Sequence, residues 1–484
     1  MAVSGFGVAR VCVAVVLLLS LSAVSSCGHP TPPPSRAPTS TPTATAPQVS
    51  PSVDFATVSA LIREAIAENR LPGAVVQIGH AGRVVFRQAF GVRKLPGEPG
   101  LDGSPTPAEP MTDDTIFDLA SLSKGIGTAP AVLQLYQQGL LRIDDPVQTL
   151  LPDFNPTGDP RRARVTVRML LTHTSGLAGD LSLDGPWGLQ RAARAEGIRR
   201  ALAAWVVYDP GEVFHYSDIN FILLGTIVER ITGEPLDRYL HEHVFTPLGM
   251  TDTRYLPASK ACGPHRVRGT AVTLAGYPPW VGGCPAGTWS TGLLPRIAPT
   301  ARDGDTPGRN PDYGYLLRGT VHDPTARRMG GVTGSAGIFS TVGDIGRFAH
   351  ALLDRLADRP STFPLSRAAA VLMTTPQQPG HHPGQLDAAN GATSGDYPAV
   401  PGQTLRGFGW DIDSIHSRPR GEAFPVGSFG HVGFTGVTLW IDPGSDTYVA
   451  VLANVIHQPG GPPIVSLSGD IATAVAQSLG LYQN

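Results

Sequence analysis

Ser121 and Lys124 are the two residues whose types and spacing could carry out nucleophilic chemistry. A hydroxyl becomes a good nucleophile only when a neighbouring group takes its proton, and a lysine can take it only when burial or a nearby cation lowers its pKa. Residues 128–136 have a helical composition despite Pro130. A helix that begins near Ser121 would place Lys124 on the same face, and its N-terminus would favour negative charge developing beside Ser121. The alternative is a serine that caps the helix beside an exposed lysine.

Further motifs follow this pair along the chain. They occupy residues 117–124, 141–147, 167–177, 210–218, 247–250, 334–340 and 430–436. In this order they resemble the signatures of class C β-lactamases, penicillin-binding serine D,D-peptidases and related esterases, over nearly everything from about residue 55 onward. The resemblance implies the serine β-lactamase/transpeptidase-like fold, which is of the α+β class, and hydrolysis through an acyl-enzyme.

The resemblance also assigns roles to residues around Ser121. Tyr216 stands at the tyrosine of the family's Y-x-N motif, whose phenol lies beside the serine and lysine and shares the proton. A phenol titrates near pH ~10 in water, so the Lys124 cation must lower its pKa for that role. The backbone N–H groups of Ser121 and Phe434 are implied to form the oxyanion hole that stabilises a tetrahedral intermediate. By residue type alone, Tyr216 could instead pack at the start of a helix.

The third motif departs from that of the family's β-lactamases, which have Lys-Thr-Gly where this chain has His431-Val432-Gly433. A lysine is a permanent cation, whereas a histidine is mostly neutral at about pH 7 unless a carboxylate raises its pKa. Val432 also removes a hydroxyl that would face the substrate. Both changes weaken the binding of the free carboxylate of a β-lactam or of a D-alanyl peptide.

Asp218 stands where the family usually has asparagine, so an acceptor-only carboxylate replaces an amide that both donates and accepts. If Asp218 points into the site, it repels anionic substrates and could hold Lys124 protonated. If it points away, it caps a helix. The substitutions at Asp218, His431 and Val432 together predict a preference for neutral esters or amides over β-lactams.

The remaining histidines do not indicate a metal site or a second catalytic triad. His173 belongs to a structural turn in the family that the motifs resemble, and residues 321–323, Val-His-Asp, form a scaffold segment there. The paired His381 and His382 lie in a stretch rich in glycine, proline and alanine, without a third ligand at a supporting spacing. No metal and no organic cofactor is implied.

The composition is that of a globular protein and argues against nucleic acid as a ligand. Of 484 residues, 41% are apolar, which is enough for one large domain or two closely packed ones. The 37 basic and 39 acidic residues nearly cancel, and no block of lysine or arginine could follow a phosphate backbone. Small ester, amide or peptidoglycan-like substrates are expected instead.

The first residues indicate export. Arg10 precedes an apolar run over residues 11–21, which is too short to span a bilayer and typical of a signal-peptide core. The run leads to Val-Ser-Ser-Cys at 24–27, which resembles the bacterial lipobox, so residues 1–26 are predicted to be removed and Cys27 to be lipidated. Residues 27–52 form a Pro/Thr/Ser-rich tether that holds the hydrolase domain, 53–484, at the outer face of the cytoplasmic membrane. The alternative is ordinary secretory cleavage with Cys27 discarded.

Strand-like segments lie towards both ends of the chain. A helix is expected at 55–67, a β-hairpin at 74–86, strands at 427–441 and 447–452, a final helix at 464–479, and loops at 297–310 and 375–404. The pattern predicts an α+β fold, with an antiparallel sheet built from both chain ends, flanking helices and a mostly helical insert at 114–250. Cys262 and Cys284 either pair in a disulfide or remain two buried thiols.

The sequence therefore favours hydrolysis of an ester or amide through an acyl-enzyme on Ser121. D,D-carboxypeptidase or β-lactamase activity on cell-wall peptides or antibiotics is the alternative within the enzyme class. A pseudoenzyme that binds a cell-wall or lipid ligand without turnover is a hypothesis of another class, motivated by Asp218 and Val432. The retained Ser121, Lys124 and Tyr216 argue against it.

Overall fold

The computed structural model describes residues 53–274, 282–392, 395–458 and 460–482. The predicted signal segment (1–26) and tether (27–52), with the lipidation candidate Cys27, lie outside these described residues. From Val53 onward the chain forms one compact unit. Among its described helices, none combines the length and the apolar character needed to cross a lipid bilayer.

The centre of the molecule is an antiparallel sheet. The strands of the described residues are β1 (Gly73–His80), β2 (Arg83–Lys94), β3 (Glu109–Pro110), β4 (Phe117–Asp118), β5 (Arg254–Tyr255), β6 (Ala261–Cys262), β7 (His265–Arg268), β8 (Ala271–Leu274), β9 (Trp289–Ser290), β10 (Ile338–Ser340), β11 (Leu405–Arg406), β12 (Asp411–Asp413), β13 (Phe429–Gly433), β14 (Val437–Asp442) and β15 (Thr447–Ala453). The main sheet has the order β11-β12-β13-β14-β15-β1-β2-β3. Strands from both chain ends thus meet in one sheet, which confirms the predicted α+β architecture.

Helices cover this sheet and form the insert between its two halves. The α-helices of the described residues are α1 (Ala56–Ala67), α2 (Ala129–Gln137), α3 (Val147–Leu150), α4 (Pro160–Arg164), α5 (Val167–Leu171), α6 (Arg194–Leu202), α7 (Asp218–Thr232), α8 (Leu236–Leu240), α9 (Pro324–Arg328), α10 (Val342–Leu356), α11 (Arg367–Thr374), α12 (Gly384–Asn390) and α13 (Val465–Ser478). Two π-helical turns lie at Lys124–Thr128 and His241–Phe245. Short 3₁₀ helices lie at Pro152–Phe154, Ala258–Lys260, Thr291–Arg296, Arg418–Arg420 and Val455–His457.

The sheet is buried on both faces, as the contacts of strand β1 show. Strand β1 pairs with β15 on one side, with Ala74 opposite Ala453, and with β2 on the other. Val76 and Ile78 pack in a core formed with α1 and α13, whereas Val75 points to the opposite face and packs in the larger core of the helical insert. Since successive side chains of a strand point to opposite faces, the unbroken apolar run in β1 reflects this two-sided burial.

Three local expectations require correction or completion. The stretch 375–404, predicted to be a loop, contains α12, in which Ala389 is buried. The strand expected at 427–441 is a hairpin, because residues 434–436 turn the chain between β13 and β14. Cys262 and Cys284, for which pairing and separate thiols were both open, are joined in a disulfide with Cα atoms 5.9 Å apart.

Candidate active site

Ser121 lies in a turn between β4 and the helical segment that continues into α2. The turn is held by Asp118, whose Oδ1 accepts a hydrogen bond of 2.9 Å from the Ala120 N–H. Asp118 Oδ2 accepts from the His322 N–H at 2.8 Å, and its backbone oxygen accepts from the Thr435 hydroxyl at 2.7 Å. Ala120 has φ of 44°, a left-handed conformation that is strained for alanine and recurs at functional turns. Asp118 therefore fixes the nucleophile turn to two distant loops.

Lys124 opens a π-helical turn, which presents its side chain towards Ser121. The turn packs against Trp410 through Gly125, where a Cβ atom would lie 2.8 Å from the indole ring. Only glycine permits this approach, and Trp410 is completely buried in the core. π-Helical turns within longer helices occur frequently at functional sites. The predicted position of Lys124 on the face of Ser121 is confirmed, whereas the π turn has no signal in the sequence.

The Lys124 ammonium group is fully buried, and each of its three N–H donors has an acceptor. Nζ lies 3.0 Å from Ser121 Oγ, 2.5 Å from Asp218 Oδ1 and 2.8 Å from the backbone oxygen of Ser335. Burial alone would lower the lysine pKa, but Asp218 and Tyr216 together oppose it and hold the pKa above its usual value. Lys124 is thus a cation that donates to Ser121. This is opposite to the expectation that a lowered pKa prepares it as a base.

Tyr216 lies beside this cation with a buried hydroxyl. Its Oη has no hydrogen-bond partner among the described residues, and the Lys124 Nζ lies 5.2 Å from the centre of its ring. Burial raises the pKa of the phenol, and the opposing effect of the Lys124 cation is smaller. Lys124 therefore acts on the Tyr216 pKa in the expected direction, but burial outweighs it and the pKa is raised overall. A neutral phenol is a proton donor rather than a base.

His173 supports Tyr216 from behind. The two rings stack with centroids 4.3 Å apart, and His173 is fully buried at a backbone φ of 57°. Its Nδ1 lies 3.1 Å from the Ser217 N–H and must accept that hydrogen bond, which leaves its ring proton on Nε2. Its backbone oxygen also accepts from the His215 N–H. These contacts agree with the structural interpretation of His173.

Asp218 is the first residue of α7, and its carboxylate points into the site. Ser217 is the N-cap residue, and no side chain caps this helix. The carboxylate instead pairs with Lys124, with 23% of its side chain exposed to the pocket. Of the two orientations that the sequence left open, the structure shows the one towards the lysine. Helix α7 is buried along most of its length, so this position is rigidly held.

His431, in β13, is a neutral hydrogen-bond acceptor in the site. Its Nδ1 lies 2.7 Å from the backbone oxygen of Val432, which can only accept, so Nδ1 carries the ring proton. The unprotonated Nε2 has no partner among the described residues. Burial lowers the pKa of His431 to about 3, although the nearby Asp411 carboxylate opposes this. The ring therefore stays uncharged near neutral pH and cannot replace the cation of a Lys-Thr-Gly motif.

Gly433 and Phe434 bring β13 against the nucleophile turn. A Cβ at Gly433 would lie 2.4 Å from the backbone oxygen of Leu119, so only glycine fits between the two segments. The N–H groups of Ser121 and Phe434 have no acceptor among the described residues. They remain available to an oxyanion, as the resemblance implied. The Phe434 ring is 73% exposed and stacks on His322 with centroids 5.9 Å apart.

Most of these groups line one pocket of about 430 Å³, a volume suited to a small molecule, whereas Lys124 and Gly433 are not among its lining residues. The predicted residues that line it are Ser121, Tyr216, Asp218, His431, Val432 and Phe434. It is also lined by polar residues that the sequence analysis did not assign to the site, namely His322, Asp323, Asp411 and His416. Of these, only His322 and Asp323 were noted in the sequence, where the Val-His-Asp triplet was interpreted as a scaffold segment. Asp411 and His416 gave no sequence signal at all.

The Val-His-Asp triplet does not complete a Ser-His-Asp triad. Among the described residues, no hydrogen bond joins the His322 ring to Ser121 or to Asp323. Asp323 instead caps α9, since its Oδ1 accepts from the Ala326 N–H at 2.6 Å. Burial lowers the pKa of His322 to about 4, so its ring is neutral near pH 7. The segment both supports the fold and lines the pocket.

Comparison with known families agrees with this geometry. The model of the family described as Beta-lactamase matches residues 58–463, which includes every residue of the pocket. The chain belongs to the Beta-lactamase family. Its members are serine hydrolases, and this protein is accordingly an enzyme of that kind.

Relatives in this family carry different activities in their names. A putative D-alanyl-D-alanine carboxypeptidase of Escherichia coli K12 is 28% identical over 398 residues, which cover 79% of this chain and 78% of the relative. Esterase EstB of Burkholderia gladioli is 36% identical over 215 residues, 42% of this chain and 52% of the esterase. The octameric penicillin-binding protein homologue of Pyrococcus abyssi has the same fold, with a TM-score of 0.57 and 22% identity over 88% of this chain and 78% of that one.

Proposed function

We propose that this Beta-lactamase family member hydrolyses ester or amide bonds of small substrates through an acyl-enzyme on Ser121. The observation that carries the proposal is the chain of contacts from Ser121 Oγ to Lys124 Nζ to Asp218 Oδ1, at 3.0 and 2.5 Å. A hydroxyl, an ammonium and a carboxylate in this order form a path along which the serine proton can leave. Such a path distinguishes a catalytic serine from a helix cap.

The first step follows from the protonation states in the site. As Ser121 Oγ bonds to the substrate carbonyl carbon, Lys124 passes one of its protons to Asp218 and takes the serine proton in its place. The electron pair of the carbonyl moves to its oxygen, which the N–H groups of Ser121 and Phe434 would stabilise by a few kcal/mol. The serine proton thus ends, in net terms, on the Asp218 carboxylate. Lys124 stays a cation throughout.

Tyr216 is suited to the second step. Its neutral phenol can donate a proton to the leaving group as the tetrahedral intermediate collapses, and the proton on Asp218 can then return through Lys124 to the resulting phenolate. In deacylation, the attacking water loses a proton through Lys124 to Asp218, and that proton passes back through Lys124 to Ser121 Oγ as the acyl–oxygen bond breaks. The raised pKa keeps the Tyr216 phenol protonated near neutral pH, so the proton is present when the leaving group departs.

The charges in the pocket favour esters and amides without a free carboxylate. The β-lactam and D-alanyl substrates of the wider family carry such a carboxylate, whereas His431 here is neutral and Asp218 is an anion beside the nucleophile. The similarity to the Escherichia coli carboxypeptidase, which spans most of both chains, supports D,D-carboxypeptidase activity as the second candidate. Assays of p-nitrophenyl butyrate, of a penicillin and of a D-alanyl-D-alanine peptide with the same enzyme preparation separate the two.

Mass spectrometry after treatment with a fluorophosphonate probe tests the assignment of the nucleophile. We expect one label, on the peptide that contains Ser121, together with hydrolysis of p-nitrophenyl butyrate. Ser121→Ala should lose both, whereas Ser104→Ala, in an exposed loop, should keep both. Absence of labelling and turnover in a folded wild-type protein would instead support a binding protein without catalysis.

We propose, further, that the enzyme is exported and anchored to the membrane through a lipid on Cys27. The apolar run at 11–21 and the small residues before Cys27 support this. Metabolic labelling with an alkyne-bearing palmitate should mark the protein in bacteria, and Cys27→Ser should abolish the label. Cys12→Ser, inside the apolar run, is the matched control and should leave it. A labelled Cys27→Ser variant would contradict the anchor.

A further inference from the structure

The walls of the catalytic pocket present hydrogen-bond acceptors to a substrate. Carboxylates of Asp218, Asp323 and Asp411 line it, together with the ring of His431. His431 and Asp411 are each 1% exposed, and His431 Nε2 and Asp411 Oδ2 have no partner among the described residues. Buried acceptors without partners are costly unless a ligand or water satisfies them. Such electron-rich atoms attract a ligand group that carries positive charge.

The nearby cations are already used by the protein. Lys124 donates to Ser121, Asp218 and Ser335, and none of its N–H groups remains for a substrate. Arg406 is fully buried and pairs with Asp411, and it does not line the pocket. Among the described residues that line the pocket, none therefore offers a positive charge to a substrate anion.

The histidines of the pocket do not supply a positive charge either. Burial lowers the pKa of His431 to about 3 and that of His322 to about 4, and it also lowers the pKa of His416. All three rings are accordingly neutral near pH 7. The positive charges of Lys124 and Arg406 are neutralised by the negative charges of Asp218 and Asp411. The net charge of the pocket therefore depends on the remaining carboxylates.

The remaining carboxylates are Asp323, which lines the pocket, and Asp180, which lies beside Asp218 and Asp323. Carboxylate oxygens of Asp180, Asp218 and Asp323 lie within 4.8 Å of one another. Asp180 Oδ1 accepts from the Thr325 hydroxyl at 3.0 Å, and neither Asp180 nor Asp323 forms an ion pair within the described chain. The end of the pocket near Ser121 therefore carries negative charge that the protein does not neutralise.

We propose that the pocket selects substrates that carry an organic ammonium group close to the scissile ester or amide bond. The ammonium would lie against Asp323 and Asp218 while the carbonyl carbon meets Ser121. This selectivity rests on the hydrolase function proposed above and narrows its substrate class. This selectivity goes beyond the exclusion of anionic substrates, because a neutral substrate does not neutralise the negative charge at Asp323.

Two pairs of isosteric substrates test the charge alone. In the leaving group, butyrylthiocholine has a positively charged nitrogen atom where 3,3-dimethylbutyl thiobutyrate has a neutral carbon atom, and the two are otherwise identical. The p-nitrophenyl esters of 4-(trimethylammonio)butyrate and 5,5-dimethylhexanoate make the same change in the acyl group. We expect kcat/KM to be at least about tenfold higher for the cation in one pair, as a single close charge interaction allows. Equal kcat/KM values within both pairs would overturn the proposal.

Asp323→Asn removes the charge without removing the cap of α9, because asparagine is an equally good N-cap residue. In this variant the ratio of kcat/KM for the cationic substrate to kcat/KM for its carbon isostere should fall at least about threefold. Asp387→Asn, exposed on α12, is the matched control and should keep the wild-type preference. An unchanged preference in Asp323→Asn would overturn the assignment to this carboxylate.

A binding measurement separates failure of the selectivity from failure of catalysis. Ser121→Ala cannot form an acyl-enzyme, so calorimetry with this variant measures binding of the intact thioesters. We expect butyrylthiocholine to bind more tightly than its carbon isostere even if the wild-type enzyme hydrolyses neither. Equal binding of the two thioesters would overturn the proposal. Displacement of butyrylthiocholine by millimolar Ca²⁺ that itself binds in the same titration would also overturn it, in favour of a metal site.

Discussion

Lys124 and Asp218 form an ion pair of 2.5 Å inside the active site, with the ammonium group completely shielded from solvent. The pair joins the π-helical turn that Lys124 opens to the first residue of α7. It is formed by the residue that stands where the family's Y-x-N motif usually has asparagine. This contact decides how the serine proton leaves, because a lysine with three acceptors cannot accept a further proton until it gives one up.

Asp218→Asn should slow catalysis although it restores the residue usual in the family. Without the carboxylate, the proton from Ser121 has no acceptor beyond Lys124, and we expect kcat on p-nitrophenyl butyrate to fall about 100-fold. The rate of fluorophosphonate labelling at Ser121 should fall in parallel. Asp180→Asn, which removes a nearby charge outside the proton path, should retain most of kcat for this neutral ester. A faster Asp218→Asn enzyme would show that the carboxylate only traps the lysine.

Tyr216→Phe should separate activity from stability. The Tyr216 hydroxyl is buried without a partner, so its removal should leave the free energy of unfolding unchanged or slightly higher. The kcat for an alkyl ester should nevertheless fall about 100-fold because its alkoxide leaving group loses its proton donor. Tyr255→Phe is the control, since its hydroxyl donates to the Thr333 oxygen at 2.7 Å. That variant should lose about 1 kcal/mol of stability in urea unfolding and keep its activity.

Gly433→Ala should disturb the oxyanion hole. The added methyl group would lie 2.4 Å from the Leu119 oxygen, so β13 must move away from the nucleophile turn. We expect a drop of about 100-fold or more in kcat, the size associated with loss of one oxyanion donor. Gly304→Ala, where an added Cβ meets nothing within 4 Å, should be neutral in activity and in melting temperature. Full activity in Gly433→Ala would exclude the Phe434 N–H from the hole.

The preference for a cationic substrate should increase with pH. Burial raises the pKa of Asp323 to about 6 and that of Asp180 to about 7, while Asp218, Lys124 and Arg327 also act on Asp323. Below these values the two carboxyl groups are neutral, and above them they are negative. The ratio of kcat/KM for butyrylthiocholine to that for its carbon isostere should therefore rise from pH 5.5 to pH 8. In Asp323→Asn the rise should be smaller, and a ratio that is flat with pH in the wild-type enzyme would contradict this assignment.

The sequence predicted the scaffold well because motif order and strand periodicity are local properties. Placement of Ser121 and Lys124 on one helix face, and the hairpin of β1 and β2, follow from spacing alone. The grouping of charged residues around the site could not be predicted from local sequence patterns. Asp180, Asp218, Asp323 and Asp411 come from separate elements, and their proximity depends on how these elements pack.

The protonation states illustrate the same limit. The sequence indicates only the effect of the Lys124 cation on Tyr216, which predicts a lowered phenol pKa. The structure adds complete burial of the phenol, which is the larger effect, and the Asp218 contact that keeps Lys124 charged. Similarly, the hydrogen bond from His431 Nδ1 to Val432 fixes a tautomer that no motif encodes.

The three hydrogen bonds of Asp118 restrict how this enzyme can change its substrate range during evolution. A mutation that shifts the backbone at His322 or Thr435 also shifts the turn of Ser121, because one aspartate holds all three segments. Substitutions of the exposed Phe434 ring carry no such penalty, since that side chain projects from the mouth of the pocket. New substrates are therefore more accessible through changes of side chain at the mouth than through remodelling of the loops that form it.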